Sequence, residues 1–147
     1  MRKIEDVILK DGRNLKEVLE LHKKWLEGEK GGEKANLLYE DLSNVDLKDI
    51  NLKYVFLRGA NLSDANLEGA NLEGANLSGA YLRGVNLSDA NLISANLRGA
   101  CLSVANLIGA KLNDVDLRGS YLRGADLKGA DLSIANLSYA ILSGADL

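Results

Sequence analysis

The chain has 147 residues, a formal net charge of −3 and a pI near 5.2, one domain's length with no basic excess for wrapping nucleic acid. Apolar residues make up 46% of it but include a single Phe and a single Trp, so the core has to be aliphatic. A lone Cys101 and a lone His22 exclude an internal disulfide and a histidine metal cluster, and no apolar run reaches the length of a membrane span.

The N-terminal stretch MRKIEDVILKDGRN interrupts its apolar residues with charges and lacks a secretory h-region, so a cytoplasmic protein is expected. Residues Ile4 to Leu9 suggest a short strand ahead of a turn at Asp11-Gly12. In the following NLKEVLELHKKWLEGEKGG, Asn14 is a candidate N-cap, and Glu17 three residues on completes a capping-box pattern. Leu15, Val18, Leu19, His22, Trp25 and Leu26 recur at helical spacing, and Gly28 offers a stop. The spacing predicts an amphipathic helix over residues 15–27, within a capping segment 1–34 that covers the first coil of residues 35–147.

From Leu37 to Leu147 every fifth residue is leucine, 23 positions without exception. Two residues before each leucine stands a small or aliphatic residue in 21 of 23 cases, the exceptions being Glu40 and Ser120. Asn or Asp comes immediately before it in 17 of 23. On a helix five residues advance about 500°, so the leucines spiral around the cylinder. On a strand an odd period alternates faces. Only a chain that turns once per pentad keeps leucine and alanine on a common axis. Gly stands second after leucine in 11 of 22 complete repeats and permits corners with φ > 0. The Asn and Asp positions can bond local backbone or ladder between coils. Six residues break the Asn/Asp rule: Phe56, Tyr81, Cys101, Lys111, Tyr121 and Ile141. Tyr81, Cys101, Tyr121 and Ile141 fall 20 residues apart, which favours four repeats per turn.

The run A-[D/N]-L-x-x from Ala35 to Leu147 resembles the pentapeptide-repeat family over 113 of 147 residues. The resemblance implies an all-β solenoid, a right-handed four-sided β-helix with leucine and the residue two before it pointing inward. Between five and six coils follow from 113 residues. At ~4.8 Å per paired strand the rod would be about 27 Å long. Each end of such a rod presents an open backbone edge that has to be covered. The helix covers one end. At the other the chain stops on Leu147, where a second copy covers the edge, a longer natural chain continues, or the edge stays exposed in a monomer, the dimer being favoured over the last. Some family members dimerise through that end, so the resemblance carries over a homodimer as an expectation.

No catalytic set emerges. His22 lies on the helix stripe, where packing explains it. Cys101 stands in an outward column without a neighbouring histidine or resolving cysteine. The carboxylates follow the repeat, and GxxxxGK[ST] is absent. No enzymatic activity, cofactor or metal is expected. Glu40 is the one acidic residue at an inward position, and two readings stand. Either it bends outward under the helix, or it bonds Lys34, His22 or free backbone N–H groups at the cap junction.

With four repeats per turn the outward side chains sort into faces. One carries Arg58, Arg98 and Arg118 against Asp116. The face two sides away carries Asp46, Asp49, Glu68, Asp89, Asp126 and Asp146 against Lys48 and Lys128. Between them lies the column Tyr81, Cys101, Tyr121, Ile141, with Arg83 and Arg123 beside the tyrosines. Tyr and Arg are enriched at the energetic centres of interfaces. This column is therefore the candidate face of a binding or scaffolding module for an unidentified protein. The competing reading is that outward tyrosines stack only to cover the surface. The family resemblance adds an alternative, because some members are thought to imitate duplex DNA and bind type II topoisomerases, including DNA gyrase. That demands a strongly acidic rod, and the repeat region holds 13 acids against 9 bases. The Arg58–Arg98–Arg118 column is short, lacks an aromatic stacking platform and is set in an acidic protein, so nucleic acid is not expected as a partner. Without a long apolar run, neither is a membrane.

Overall fold

Each pentad folds as a short extended segment followed by a four-residue turn. In the turn Leu57–Ala60 the Leu57 carbonyl accepts the Ala60 N–H at 3.0 Å, with Gly59 at φ 64°, the type II pattern. The computed structural model describes all 147 residues and repeats this unit from Asn36 to Asp146. Nineteen parallel bridges join the residue before one leucine to the residue 20 further on, from Asn36–Phe56 to Asp126–Asp146. Four pentads therefore make one coil. Each side pairs with the next coil through a single bridge, because the turn consumes the other residues.

Hydrogen bonding runs along the rod. Around Tyr81 the Leu62 N–H donates to the Tyr81 carbonyl at 2.7 Å, and the Tyr81 N–H to the Ala60 carbonyl at 2.9 Å. At the corner the Asp64 N–H donates to the Arg83 carbonyl at 2.9 Å. Backbone polarity is thus satisfied between coils, leaving the shaft to side chains. The leucines from Leu37 to Leu127 are buried there with the alanines and valines two residues before them. Ser120 shares this interior, and its hydroxyl donates to the Leu117 carbonyl at 2.7 Å. In the last coil Leu132, Leu137 and Leu142 are only partly covered, and Leu147 is 73% exposed.

The Asn and Asp positions perform both expected tasks. Asn86 Oδ1 accepts the Ser88 N–H at 3.2 Å, bracing its own turn. It also accepts Asn106 Nδ2 at 3.1 Å, while Asn86 Nδ2 donates to Asn66 Oδ1 at 3.2 Å, forming a ladder up one side. Corners are left-handed whether or not glycine occupies them: eleven non-glycine residues hold φ between 53° and 62° there. Glycine answers packing as well as conformation. A Cβ on Gly59 would lie 2.4 Å from Cδ1 of Tyr39, which leans over it from the preceding coil.

At the N-terminal end, helix α1 (Leu15–Leu26) buries Leu15, Val18, Leu19 and His22, and its apolar residues join the same core as Leu37 and Val45. Asn14 caps it, Oδ1 accepting the Lys16 N–H at 2.9 Å. The reciprocal bond expected of Glu17 is not formed; Asn14 Nδ2 instead ties the helix start to the Glu5 carbonyl at 2.7 Å. A Schellman motif ends the helix, the Glu29 N–H reaching the Lys24 carbonyl at 2.9 Å with Gly28 at φ 70°.

The strand expected at Ile4–Leu9 is absent. Ile4–Asp6 form a 3-10 turn, and the flanks contribute only single bridges, Arg2 with Val45 and Ile8 with Asn14. The Leu15 N–H donates to the Val7 carbonyl at 2.9 Å and the Leu9 N–H to the Arg13 carbonyl at 2.8 Å. These bonds draw the segment back toward the helix start and press Val7 and Leu9 into the core instead of along the coil edge. Of the two readings of Glu40, the polar junction forms. The Lys10 N–H donates to both Glu40 carboxylate oxygens at 3.2 Å, and neither Lys34 nor His22 takes part.

Candidate protein-binding face

Alternation along each extended segment sends leucine inward and the residue before it outward. On one side this places Tyr81, Cys101, Tyr121 and Ile141 one above another, joined by successive parallel bridges. Tyr81 is 59% exposed and Tyr121 49%, while the smaller Cys101 between them is half-buried. Cys101 Sγ lies 3.7 Å from Ser103 Oγ. Where the middle coil carries these small residues, an open recess of about 480 Å³ forms, lined by Arg83, Cys101, Ser103, Val104, Arg123 and Gly124. A second recess of about 360 Å³, lined by Arg58, Ser78, Gly79, Asn96 and Arg98, follows the same plan: arginine, serine, arginine in three consecutive coils.

The two arginine pairs bracket the tyrosine side. Arg58 and Arg98 occupy turns that lead into its extended segments, and Arg83 and Arg123 occupy turns that leave them. All four are exposed. None makes an ion pair, in contrast to Arg118, which binds Asp116 from Nη2 at 2.6 Å and from Nε at 2.8 Å. That hydrogen bond holds the Asp116 carboxyl below the usual carboxylate range, with the charge of Arg98 adding to it. Elsewhere the rod neutralises itself. Lys48 meets Glu68 at 2.9 Å, Lys53 meets Glu73 at 3.0 Å and Lys128 meets Asp146 at 2.6 Å.

The cap residues fall into a second cluster. His22 is fully buried; its Nδ1 accepts the Ala35 N–H at 3.1 Å, which places the ring proton on Nε2, where no acceptor is in bonding geometry. Burial holds the imidazole below its ordinary value, against the opposing pull of the Lys53 carbonyl. Trp25, 37% exposed, stacks on His22 with centroids 5.6 Å apart. Leu26 is half-buried. Lys34 Nζ lies 3.9 Å from the Phe56 ring centroid and 5.4 Å from that of Trp25, bridging α1 and the first coil. No group of three His, Cys, Asp or Glu side chains is placed to hold a metal ion. No helix is long and apolar enough to cross a membrane.

Sorting the arginines by face separates Arg58 and Arg98 from the tyrosine column, although their turns border it. The signal was in the spacing: both pairs are 40 residues apart with a serine at the midpoint, Ser78 or Ser103.

A stack of four-pentad coils with its leucines and alanines turned inward and its polar side chains outward defines a β-solenoid. The Pentapeptide repeats family model matches residues 41–79, 70–107, 100–138 and 121–147, and the chain belongs to that family, whose members are generally non-enzymatic. A pentapeptide repeat protein from the cyanobacterium Cyanothece 51142 is similar at 28% identity and a TM-score of 0.61, over 86% of this chain and 95% of its own. Trypsin-treated QnrB1, a plasmid-mediated fluoroquinolone resistance protein, shares the fold at 24% identity and a TM-score of 0.64, over 76% of this chain and 59% of its own. HetL of the cyanobacterium Nostoc sp. strain PCC 7120, involved in heterocyst differentiation regulation, is 37% identical with a TM-score of 0.45, over 77% of this chain and 55% of its own. The family and its solved structures imply a right-handed quadrilateral β-helix. No curated protein matches the chain in sequence.

Proposed function

We propose that the chain is a non-catalytic protein-binding or scaffolding module whose contact surface is the side bearing Tyr81, Arg83, Cys101, Tyr121, Arg123 and Ile141. Residues 1–34 serve as its cap and residues 35–147 as the rod. The observation that carries this reading is the recess between Tyr81–Arg83 and Tyr121–Arg123. Two exposed rings stand two coils apart with unpaired guanidiniums beside them. Tyr and Arg concentrate binding energy, and a bridged coil fixes their spacing before any partner arrives, which lowers the ordering cost of association. Capture of partners from lysate by wild type and by Tyr81→Ser/Tyr121→Ser tests it. Loss of a specific partner with the melting temperature retained is expected. Unchanged capture with lowered stability would make the tyrosines surface cover and overturn the reading.

The cytoplasm is the proposed compartment, in keeping with the free thiol of Cys101. The partly covered last coil, with Leu132, Leu137 and Leu142, is the proposed site of a homodimer contact. Light scattering should give twice the 15.8 kDa chain mass, and a monomer at micromolar concentration counts against it.

A DNA-mimicking binder of a type II topoisomerase is the alternative. Asp46, Asp49 and Asp89, which carry no ion pair on the acidic side adjoining the tyrosine column, favour it. The pairs Lys48–Glu68 and Lys128–Asp146 weaken it by neutralising that side. A gyrase supercoiling assay without inhibition or protection at micromolar protein disposes of it.

A further inference from the structure

We infer that the side framed by Arg58, Arg98, Arg83 and Arg123 recognises an acidic, extended protein segment laid along the tyrosine column. This rests on the proposed binding face and names the class of partner it takes. Each arginine pair spans two coils, about 9.6 Å at ~4.8 Å per coil. Ser78 and Ser103 leave the gaps open as recesses. A guanidinium presents a fork of donors that matches a carboxylate. These four forks are unoccupied, whereas every other cation of the repeat region except Lys111 is paired within the rod. An extended chain rises ~3.3 Å per residue, so about three residues cover the distance between arginines of one row. Tyr81 and Tyr121 offer ring surface between the two rows for apolar residues interleaved with the acids.

Nucleic acid fits less well. Tight polynucleotide binding draws on a track of about 6–10 phosphate contacts, and here four arginines occupy one side of a chain with net charge −3. Asp64 shares the turn row of Arg83, and Asp46, Asp126 and Asp146 stand on the side beyond it, so a polyanion longer than the recesses meets like charge.

Fluorescence anisotropy tests this with three labelled probes: a peptide of alternating glutamate and leucine, its glutamine counterpart, and an oligothymidine of equal charge. The glutamate peptide should bind at least about tenfold more tightly than the glutamine one and weaken with salt. Arg83→Gln/Arg123→Gln should cost about tenfold and Arg58→Gln/Arg98→Gln a similar loss, with circular dichroism unchanged because all four side chains are exposed. Lys48→Gln, at the far corner of the adjoining acidic side, should leave binding unaltered. Equal binding of the two peptides, insensitivity to the arginine substitutions, or tighter binding of oligothymidine each overturns the inference. If Tyr81→Ser/Tyr121→Ser loses its lysate partner while Arg83→Gln/Arg123→Gln keeps it, the face stands and the acidic class fails. If the tyrosine variant keeps its partner, the face itself fails.

Discussion

Val104 and Ile134 hold φ of 53°, a left-handed corner that a β-branched residue enters at a cost of about 1–2 kcal/mol. Both are exposed, so little packing offsets the strain. Ile134→Gly is expected to stabilise the protein by about 1 kcal/mol, read from the urea midpoint. Gly59→Ala should do the reverse, because the new methyl meets both the left-handed backbone and the Tyr39 ring. His22 gives the protein a pH dependence of definite sign. Its folded-state pKa is lowered by burial, so the unfolded chain binds the proton more readily. Stability from this group is fully present above about 6.5, the unperturbed histidine value, and is lost as pH falls below it. Urea midpoints should decline between pH 7.5 and 5, and His22→Gln should flatten that decline. An unchanged slope in the variant would assign the titration to another group.

At the scale of elements, one coil differs from the next by how many neighbours cover it. Leu92 is wholly enclosed, whereas Leu142 of the last coil is half covered. Leu92→Ala should cost about 2–5 kcal/mol and Leu142→Ala clearly less, measured by denaturant unfolding. What is legible in the sequence follows the same division. The pentad leucines, the double duty of Asn and Asp and the four-pentad coil are properties of spacing, and spacing survives in a one-dimensional string. Helix α1 is legible because its stripe and Asn14 are local. Ile4–Asp6 is not, since its conformation answers to Leu15 and Val45, residues that a run such as IEDVIL does not mention. The tyrosine column can be read from its interval of 20, but the recess depends on Cys101 and Ser103 being small where their neighbours above and below are large.

Across the whole molecule, every bridge between repeats joins residues 20 apart, so position around the axis is a matter of phase. Excising residues 88–92 removes one pentad between the two tyrosines. The remaining leucines still fill the shaft, and the melting temperature should move little. Everything beyond the cut, however, is rotated by a quarter revolution, which carries Tyr121 and Arg123 around the edge and away from Tyr81 and Arg83. Binding of the glutamate peptide should vanish from a rod that otherwise folds, and removal of four consecutive pentads should bring the upper and lower halves back into alignment. Length in this architecture can therefore change harmlessly only in whole revolutions, whereas any fractional change rewrites which side chains share a flank.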